Sequence, residues 1–477
     1  MNIILKSFDG PYCKEFIEHA LKNFDVGTCI SIIEDQIHQP NLGASKNEWL
    51  YAPDVREGKY EVNWAEITPI DEELIENMRE CEAVFMNMIS RYTFSEEIPY
   101  AERKRRYFAH LQYWNHILET EDINLMLFNH IPHMAWDYVI YKLCKLKNIP
   151  TLCVDRCSLI NAFFITENWE EPGKELKIKM EELKERYQNP DTPIPLTQQY
   201  EWAWQQQTER NERPVGTACT NKHLQRKFLA KWYKKALKVL HRNPKQFISC
   251  ICSLSFWRRK WEQHTTPHFY NKITEQPDYS ELYIYVPLHR EPESSTCPKS
   301  GGYADQERLI ELLAWHLPSG VRLYVKEHPS QDEQCRTKEF YRRLQNIPAV
   351  KLIERTTDTF KIAKNAVAIA TGTGSAGYEA LFREKPVFMF GHRFYQYAPG
   401  VLRIRTAQDC KNAIKKVFEQ QFKPIKREMR MFLKAMEECA AETYLGPMSK
   451  QLPYSMEKKI EIMGDYIAQK IKESGVH

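Results

Sequence analysis

The chain has 477 residues, enough for two or three domains that each bury a core of their own. Its 67 Lys and Arg nearly balance 63 Asp and Glu, a formal charge of +4, which removes any general electrostatic case for nucleic acid or a large acidic partner. The 13 Cys are scattered singly or as loose pairs such as Cys250 and Cys252, without the spacing of a zinc site or a disulfide framework, so reduced thiols are expected.

The amino terminus, MNIILKSFDGPYCKEF, carries an apolar run too short for a secretory signal, and no window approaches 18 uninterrupted apolar residues. A cytoplasmic protein is expected. Strand-like runs follow near Ile3 to Phe8, Cys29 to Ile33, Ala83 to Met88, Ile123 to Phe128 and Thr151 to Val154, with amphipathic stretches between most of them. This alternation predicts a parallel, doubly wound sheet over residues 1–165.

After the run ending at Phe128 comes Asn129-His130-Ile131-Pro132-His133, with Asp137 four residues beyond His133. On a helix those two share a face, the arrangement by which a carboxylate orients an imidazole base. The alternative is a helix-capping His beside a surface Asp. No third ligand is evident, so no metal site is assigned.

Residues 166–278 differ in character, rich in Glu and Lys early and in Lys, Arg and Trp late, with Pro at 172, 190, 193, 195 and 214. They read as a helical insert and linker. From Arg213 to Trp261 there is no acidic residue, while Lys and Arg recur beside Trp232, Trp257 and Trp261. Such a segment suits an anionic lipid surface or charged polymer, or else is a solvated helix face whose aromatics pack inward. No nucleic-acid-binding motif accompanies the charge.

The strand and helix alternation restarts at Tyr283 and defines a second α/β domain over residues 279–405, followed by three helices over 406–477 that are expected to pack back across the domains. Three loops after its strands carry the candidate chemistry. The first is His289-Arg290-Glu291-Pro292-Glu293, where His289, Arg290 and Glu293 form a charged cluster suited to a sugar acid or to proton transfer. The second is Lys326-Glu327-His328-Pro329: Pro329 suits a first helical turn, His328 faces a phosphate, and the Lys326 ammonium faces the crevice at the strand's carboxyl end.

The third is Thr371-Gly372-Thr373-Gly374-Ser375-Ala376-Gly377. It matches G-x-G-x-x-G in form, but the next strand ends in Phe390-Gly391-His392-Arg393 without the carboxylate that a dinucleotide's ribose requires. It also lacks the Gly-Lys-Ser/Thr end of a Walker loop and the first Gly of a nucleophile elbow. What remains is a hydroxyl-rich turn in which Thr371, Thr373, Ser375 and the amides from Gly374 onward suit an anion. Glu379, one turn on, suits ribose hydroxyls or is a solvated first-turn acid favoured by the helix dipole.

Pro287 to Glu293, Gly301-Gly302-Tyr303 with Asp305-Gln306, Val325 to Pro329, and Gly374 to Glu379 with Lys385-Pro386-Val387 together resemble bacterial capsule polysaccharide biosynthesis proteins. The likeness covers roughly Tyr283 to Gly400, with weaker similarity from Asp122 to Phe164. It implies a GT-B glycosyltransferase: two Rossmann-like domains facing a cleft, with the nucleotide sugar held mainly by the second. By the same likeness to transferases of CMP-activated acidic sugars such as Kdo, His328 and Ser375 contact the donor phosphate, Thr373 adds a second hydroxyl, and Glu379 meets the ribose. The expected partners are a nucleotide sugar as substrate, with no further cofactor, and a surface glycan or lipid-linked acceptor. A peripheral contact with the inner membrane face or a capsule assembly complex is also expected. Two alternatives stay open on this scaffold, a CDP-polyol phosphotransferase of teichoic-acid type and a non-catalytic capsule assembly scaffold.

Overall fold

The computed structural model describes residues 1–10, 12–34, 37–92, 98–157, 160–208, 248, 252–331, 336–443 and 454–476. Most of the basic stretch that begins at Arg213 therefore lies outside the described residues. Among the described residues no helix is long and apolar enough to cross a membrane.

Two six-stranded sheets organise the chain. The first contains β1 (Ile3–Lys6), β2 (Thr28–Ile33), β3 (Lys46–Tyr51), β4 (Leu125–Phe128), β5 (Thr151–Cys157) and β6 (Ala162–Thr166), in the order β3-β2-β1-β4-β5-β6. Its pairs are parallel except β5 with β6. The second contains β7 (Tyr283–Pro287), β8 (Arg322–Lys326), β9 (Val350–Ile353), β10 (Ala368–Thr371), β11 (Val387–Met389) and β12 (Val401–Arg403), in the order β12-β11-β10-β7-β8-β9, all parallel.

Counted from its own first strand, each sheet has the order 3-2-1-4-5-6 of nucleotide-binding folds, with the direction of winding reversing beside the first strand. Such a reversal opens a crevice at the strands' carboxyl ends. In the first sheet it lies between β1 and β4, in the second between β7 and β10. Because the central strands are covered on both faces, they read as unbroken apolar runs: Ile3 to Leu5, Leu125 to Phe128 and Tyr283 to Val286 are all buried.

One expected strand is a helix. Ala83 to Met88 belongs to the helix Arg79–Met88, whose buried residues Cys81, Phe85 and Met88 recur at helical spacing. The sheet instead takes its edge from Lys46–Tyr51, a strand whose residues are all exposed or half-buried and whose large side chains, Trp49 to Tyr51, do not alternate with polar ones.

The segment between the sheets contributes to both sides of the second domain. Leu176, Met180 and Leu183 of the helix Lys174–Arg186 pack with Phe432 and Met436 of Lys426–Cys439. On the other side, Tyr270 of the helix Leu254–Ile273 donates its hydroxyl to the Ile353 carbonyl at 2.7 Å. The last helix, Met456–Glu473, lies on Cys13–Leu21 of the first domain, burying Met463, Ile467 and Ile471 against Phe16 and Ile17. Gly464 permits that approach, since a Cβ there would stand 3.0 Å from the Phe16 carbonyl oxygen.

The two carboxyl edges face each other and touch. Asp155 on β5 pairs with Lys299 of the loop after β7 at 2.7 Å, both side chains buried. Phe164 of β6 stacks on Phe394 with ring centroids 5.9 Å apart. The chain is thus an α/β protein of GT-B type, two doubly wound Rossmann-like domains facing a cleft.

Candidate active site

In the second sheet, β7 lies between β8 and β10, so the loop after β7 is flanked by the His-Pro turn and the Gly-rich turn. His289 joins them. Its Nε2 accepts from the Thr373 amide at 3.1 Å and lies 3.1 Å from the Thr371 hydroxyl. Burial pushes the imidazole pKa down to about 3, with the charges of His328 and Arg336 acting the same way, so the ring is neutral at physiological pH. This corrects the expectation of a charged, donor-facing His289: the ring is a buried brace for the turn.

The hydroxyls of the turn are spent in the same manner. Thr371 Oγ1 accepts from the Gly374 amide at 3.0 Å, and Thr373 Oγ1 donates to the Ser295 carbonyl at 2.8 Å. Both residues are buried, so neither hydroxyl is open to an anion as anticipated. Ser375 is exposed at the start of the helix Ser375–Leu381, with Gly374 in extended conformation as its N-cap. Tyr395 fixes the turn from behind by donating to the Gly374 carbonyl at 2.6 Å. Glu379 stands half-buried one turn into the helix, and its carbonyl accepts from Arg383 at 3.1 Å.

The His-Pro turn is held by a residue that sequence patterning passes over. Glu327 is fully buried at the end of β8 and accepts from Arg336 Nε at 2.9 Å, the Tyr341 hydroxyl at 2.7 Å and the His328 amide at 2.7 Å. His328 Nδ1 accepts from the Ser330 amide at 3.1 Å, which assigns the ring proton to Nε2. Pro329 opens a turn rather than a helix, and the next helix among the described residues begins at Lys338. Lys326, at the end of β8, is buried at 2 % exposure and so is not presented to the crevice as expected.

Arg336 also carries a 2.7 Å ion pair with Glu291 and donates to the His289 carbonyl at 3.1 Å. Gln306 brackets His289, accepting from its amide at 2.7 Å and donating to its carbonyl at 3.2 Å. Gln331 does the same for Glu291, at 2.8 and 2.9 Å. Arg290 and Glu293 are half-exposed and paired with each other at 3.3 Å.

Across the cleft, the first sheet's crevice presents His130 and His133, both partly exposed. His133 Nδ1 donates to the Ile131 carbonyl at 2.7 Å, so Nε2 holds the lone pair of a base. Burial, with Lys6 behind it, pushes that ring down to about 4. The expected His133–Asp137 side-chain pair does not form. The Asp137 carboxylate accepts from the amides of His133 at 3.2 Å and Met134 at 2.6 Å, tying down the loop before its helix, and binds Lys6 at 2.9 Å. A buried ammonium and two open amides outcompete a neutral ring for one carboxylate.

Arg91, unmarked in the sequence, spans the cleft. Its guanidinium donates to the His133 carbonyl and to the carbonyls of Cys297 and Glu293, the last at 2.7 Å. The first domain's His133 loop and the second domain's Glu293 loop are thereby held against each other.

No curated protein is significantly similar to the chain in sequence. Among solved structures, the β-Kdo 2,7 transferase of KpsC from Thermosulfurimonas dismutans shares 12 % identity over 84 % of this chain and 97 % of its own, with a TM-score of 0.32. HepE (Alr3699) from Anabaena in complex with UDP-glucose shares 9 % over 99 % and 100 %, with a TM-score of 0.29. The UDP-GlcNAc 2-epimerase of Methanocaldococcus jannaschii shares 10 % over 92 % and 99 %, with a TM-score of 0.25. The sequence model for capsule polysaccharide biosynthesis proteins matches residues 203–445, just over half of the chain and the whole second sheet with its three loops, and the protein belongs to that family.

Proposed function

We propose that the protein is a metal-independent glycosyltransferase that moves a sugar from a nucleotide-activated donor to a surface glycan or lipid-linked acceptor, with a CMP-activated acidic sugar such as CMP-Kdo as the favoured donor. The observation that carries this reading is the fixed, neutral His289, which ties the Gly-rich turn to a loop beside the His-Pro turn at the reversal point of the second sheet. Two loops braced in this way present donors that need no rearrangement when charge develops.

In the reaction, an acceptor hydroxyl attacks the anomeric carbon, and the bond from that carbon to the donor phosphate oxygen breaks with its electron pair. The Nε2–H of His328, the Ser375 hydroxyl and the amides opening the helix Ser375–Leu381 stabilise the departing phosphate, so the step does not call on a metal. Glu379 is the ribose partner. The acceptor's proton passes to His133 Nε2, or to Glu293 on the opposite rim. Asp137 acts at a distance by holding the His133 loop, not by touching the ring.

The test is His328→Ala with a CMP-sugar donor. Turnover is expected to fall about a hundredfold, the loss typical of one transition-state donor, while the melting temperature stays close to that of the wild type. Unchanged turnover with the true donor rejects the assignment.

A further inference from the structure

The helix Leu254–Ile273 carries large apolar side chains on both of its faces. One face is buried: Phe256, Thr266 and Tyr270 point inward, and Tyr270 packs in the core of the second domain. The Tyr270 hydroxyl donates to the Ile353 carbonyl at 2.7 Å and accepts from the Glu327 amide at 3.0 Å, so the helix is fastened to β9 and to the end of β8. On the other face Leu254, Trp257 and Trp261 follow one another at i, i+3 and i+7, and they are 88 %, 52 % and 64 % exposed. Single exposed apolar side chains are ordinary. Three in one line on an anchored helix form a patch that a partner can cover.

The charge around this line has one sign in excess. Arg258, Lys338 and Arg342 line a recess beside Trp261, together with Glu262 and Glu339. Glu339 is paired with Arg342 at 3.5 Å, and the Lys338 ammonium lies over the Trp261 ring, 4.6 Å from its centroid. Arg259 and Lys260 add two more cations on the same turns, which leaves five basic groups against two acids. The sequence before the helix has the same sign, with ten Lys and Arg and no Asp or Glu from residue 213 to residue 253.

We infer that the exposed face of this helix docks on an anionic phospholipid surface. Leu254 and the rings of Trp257 and Trp261 enter the boundary between headgroups and acyl chains, where Trp is the preferred aromatic, while Arg258, Lys338 and Arg342 meet the headgroup phosphates. Lipid is favoured over an anionic polymer because a polymer's charges would pair with the basic groups and leave the aliphatic Leu254 in water. The inference goes beyond the glycosyltransferase reading, and none of these side chains takes part in the proposed reaction.

The experiment is flotation of the full chain with vesicles of phosphatidylcholine alone and of phosphatidylcholine mixed equally with phosphatidylglycerol, alongside titration with alginate. The wild type is expected to partition about tenfold or more strongly onto the mixed vesicles than onto phosphatidylcholine. The double variant Leu254→Ser/Trp257→Ser and the single variant Arg258→Glu should each lower that partitioning about fivefold or more. Equal partitioning onto the two kinds of vesicle overturns the proposal, as does mixed-vesicle binding that either variant leaves unchanged. Alginate binding that depends on Arg258, without vesicle binding, overturns it in favour of an anionic polymer. If a variant melts below the wild type, amide hydrogen exchange of the wild type decides: exchange over the first turns of the helix that the mixed vesicles slow supports docking, and exchange indifferent to them refutes it. Failure to float while a nucleotide still binds removes this inference and leaves the donor reading standing.

Discussion

Glu327 decides the shape of the His-Pro turn. Its carboxylate takes three donors and is fully buried, so Glu327→Gln removes charge where no water replaces it. Arg336 keeps Glu291 as a partner, which sets the expected loss at the lower end for a broken buried pair, about 3 kcal/mol. Urea denaturation measures it, and a loss below about 0.5 kcal/mol contradicts the bracing role. His289 predicts a pH dependence. A histidine in the unfolded chain titrates near 6.5, whereas burial holds this one down to about 3. As pH falls below 6.5 the unfolded state takes up a proton that the folded state refuses, so stability present in full above 6.5 is lost progressively toward 3. The stability gap between wild type and His289→Gln should therefore narrow between pH 7 and pH 4.5, and a constant gap contradicts a buried neutral ring. His328 was readable in the sequence because Pro329 marks its turn. Glu327, Arg336 and Arg91 were not, since a buried charge announces itself only when its distant partner is known.

At the level of elements, the Gly-rich turn owes its position to close backbone contacts as much as to hydrogen bonds. Gly391 opens the loop after β11, and its amide donates to the Gly372 carbonyl at 2.9 Å. A Cβ there would stand 2.7 Å from the Lys299 carbonyl oxygen and 2.8 Å from that of Gly372, both backbone atoms that cannot rotate aside. Gly391→Ala is expected to cost about 1–3 kcal/mol in thermal unfolding and to weaken nucleotide binding together with it. A variant as stable as the wild type contradicts the packing described. The central strands were legible because covered strands are uniformly apolar. The edge strands Lys46–Tyr51 and Val401–Arg403 were not, because an uncovered strand carries no such run. Ala83 to Met88 misled for the opposite reason: a short apolar stretch gives no period until Cys81 is counted with it.

On the scale of the whole molecule, two sheets of equal order bring their reversal points to one cleft, and the proposed function puts the donor on one rim and the acceptor on the other. Asp155 and Lys299 fasten the edges. Burial together with Arg393 pushes Lys299 down to about 8, while Asp155 opposes the shift and keeps the pair ionised at neutral pH. The family likeness and the His-Pro and Gly-rich turns could be read from the sequence, whereas the apposition of His133 with Glu293 depends on Arg91 reaching residues 42 and 202 positions away, which no local pattern reports. The central claim is that the second domain's reversal point holds a nucleotide's phosphate. Melting the wild type and His328→Ala with CMP, CDP, UDP and GDP compounds tests it most directly. At a hundredfold excess over Kd, a ligand of the folded state adds about 2.7 kcal/mol and raises the melting temperature, and the account predicts such a rise with a cytidine nucleotide in the wild type and a much smaller one in His328→Ala. No rise with any nucleotide, or equal rises in both proteins, would contradict it.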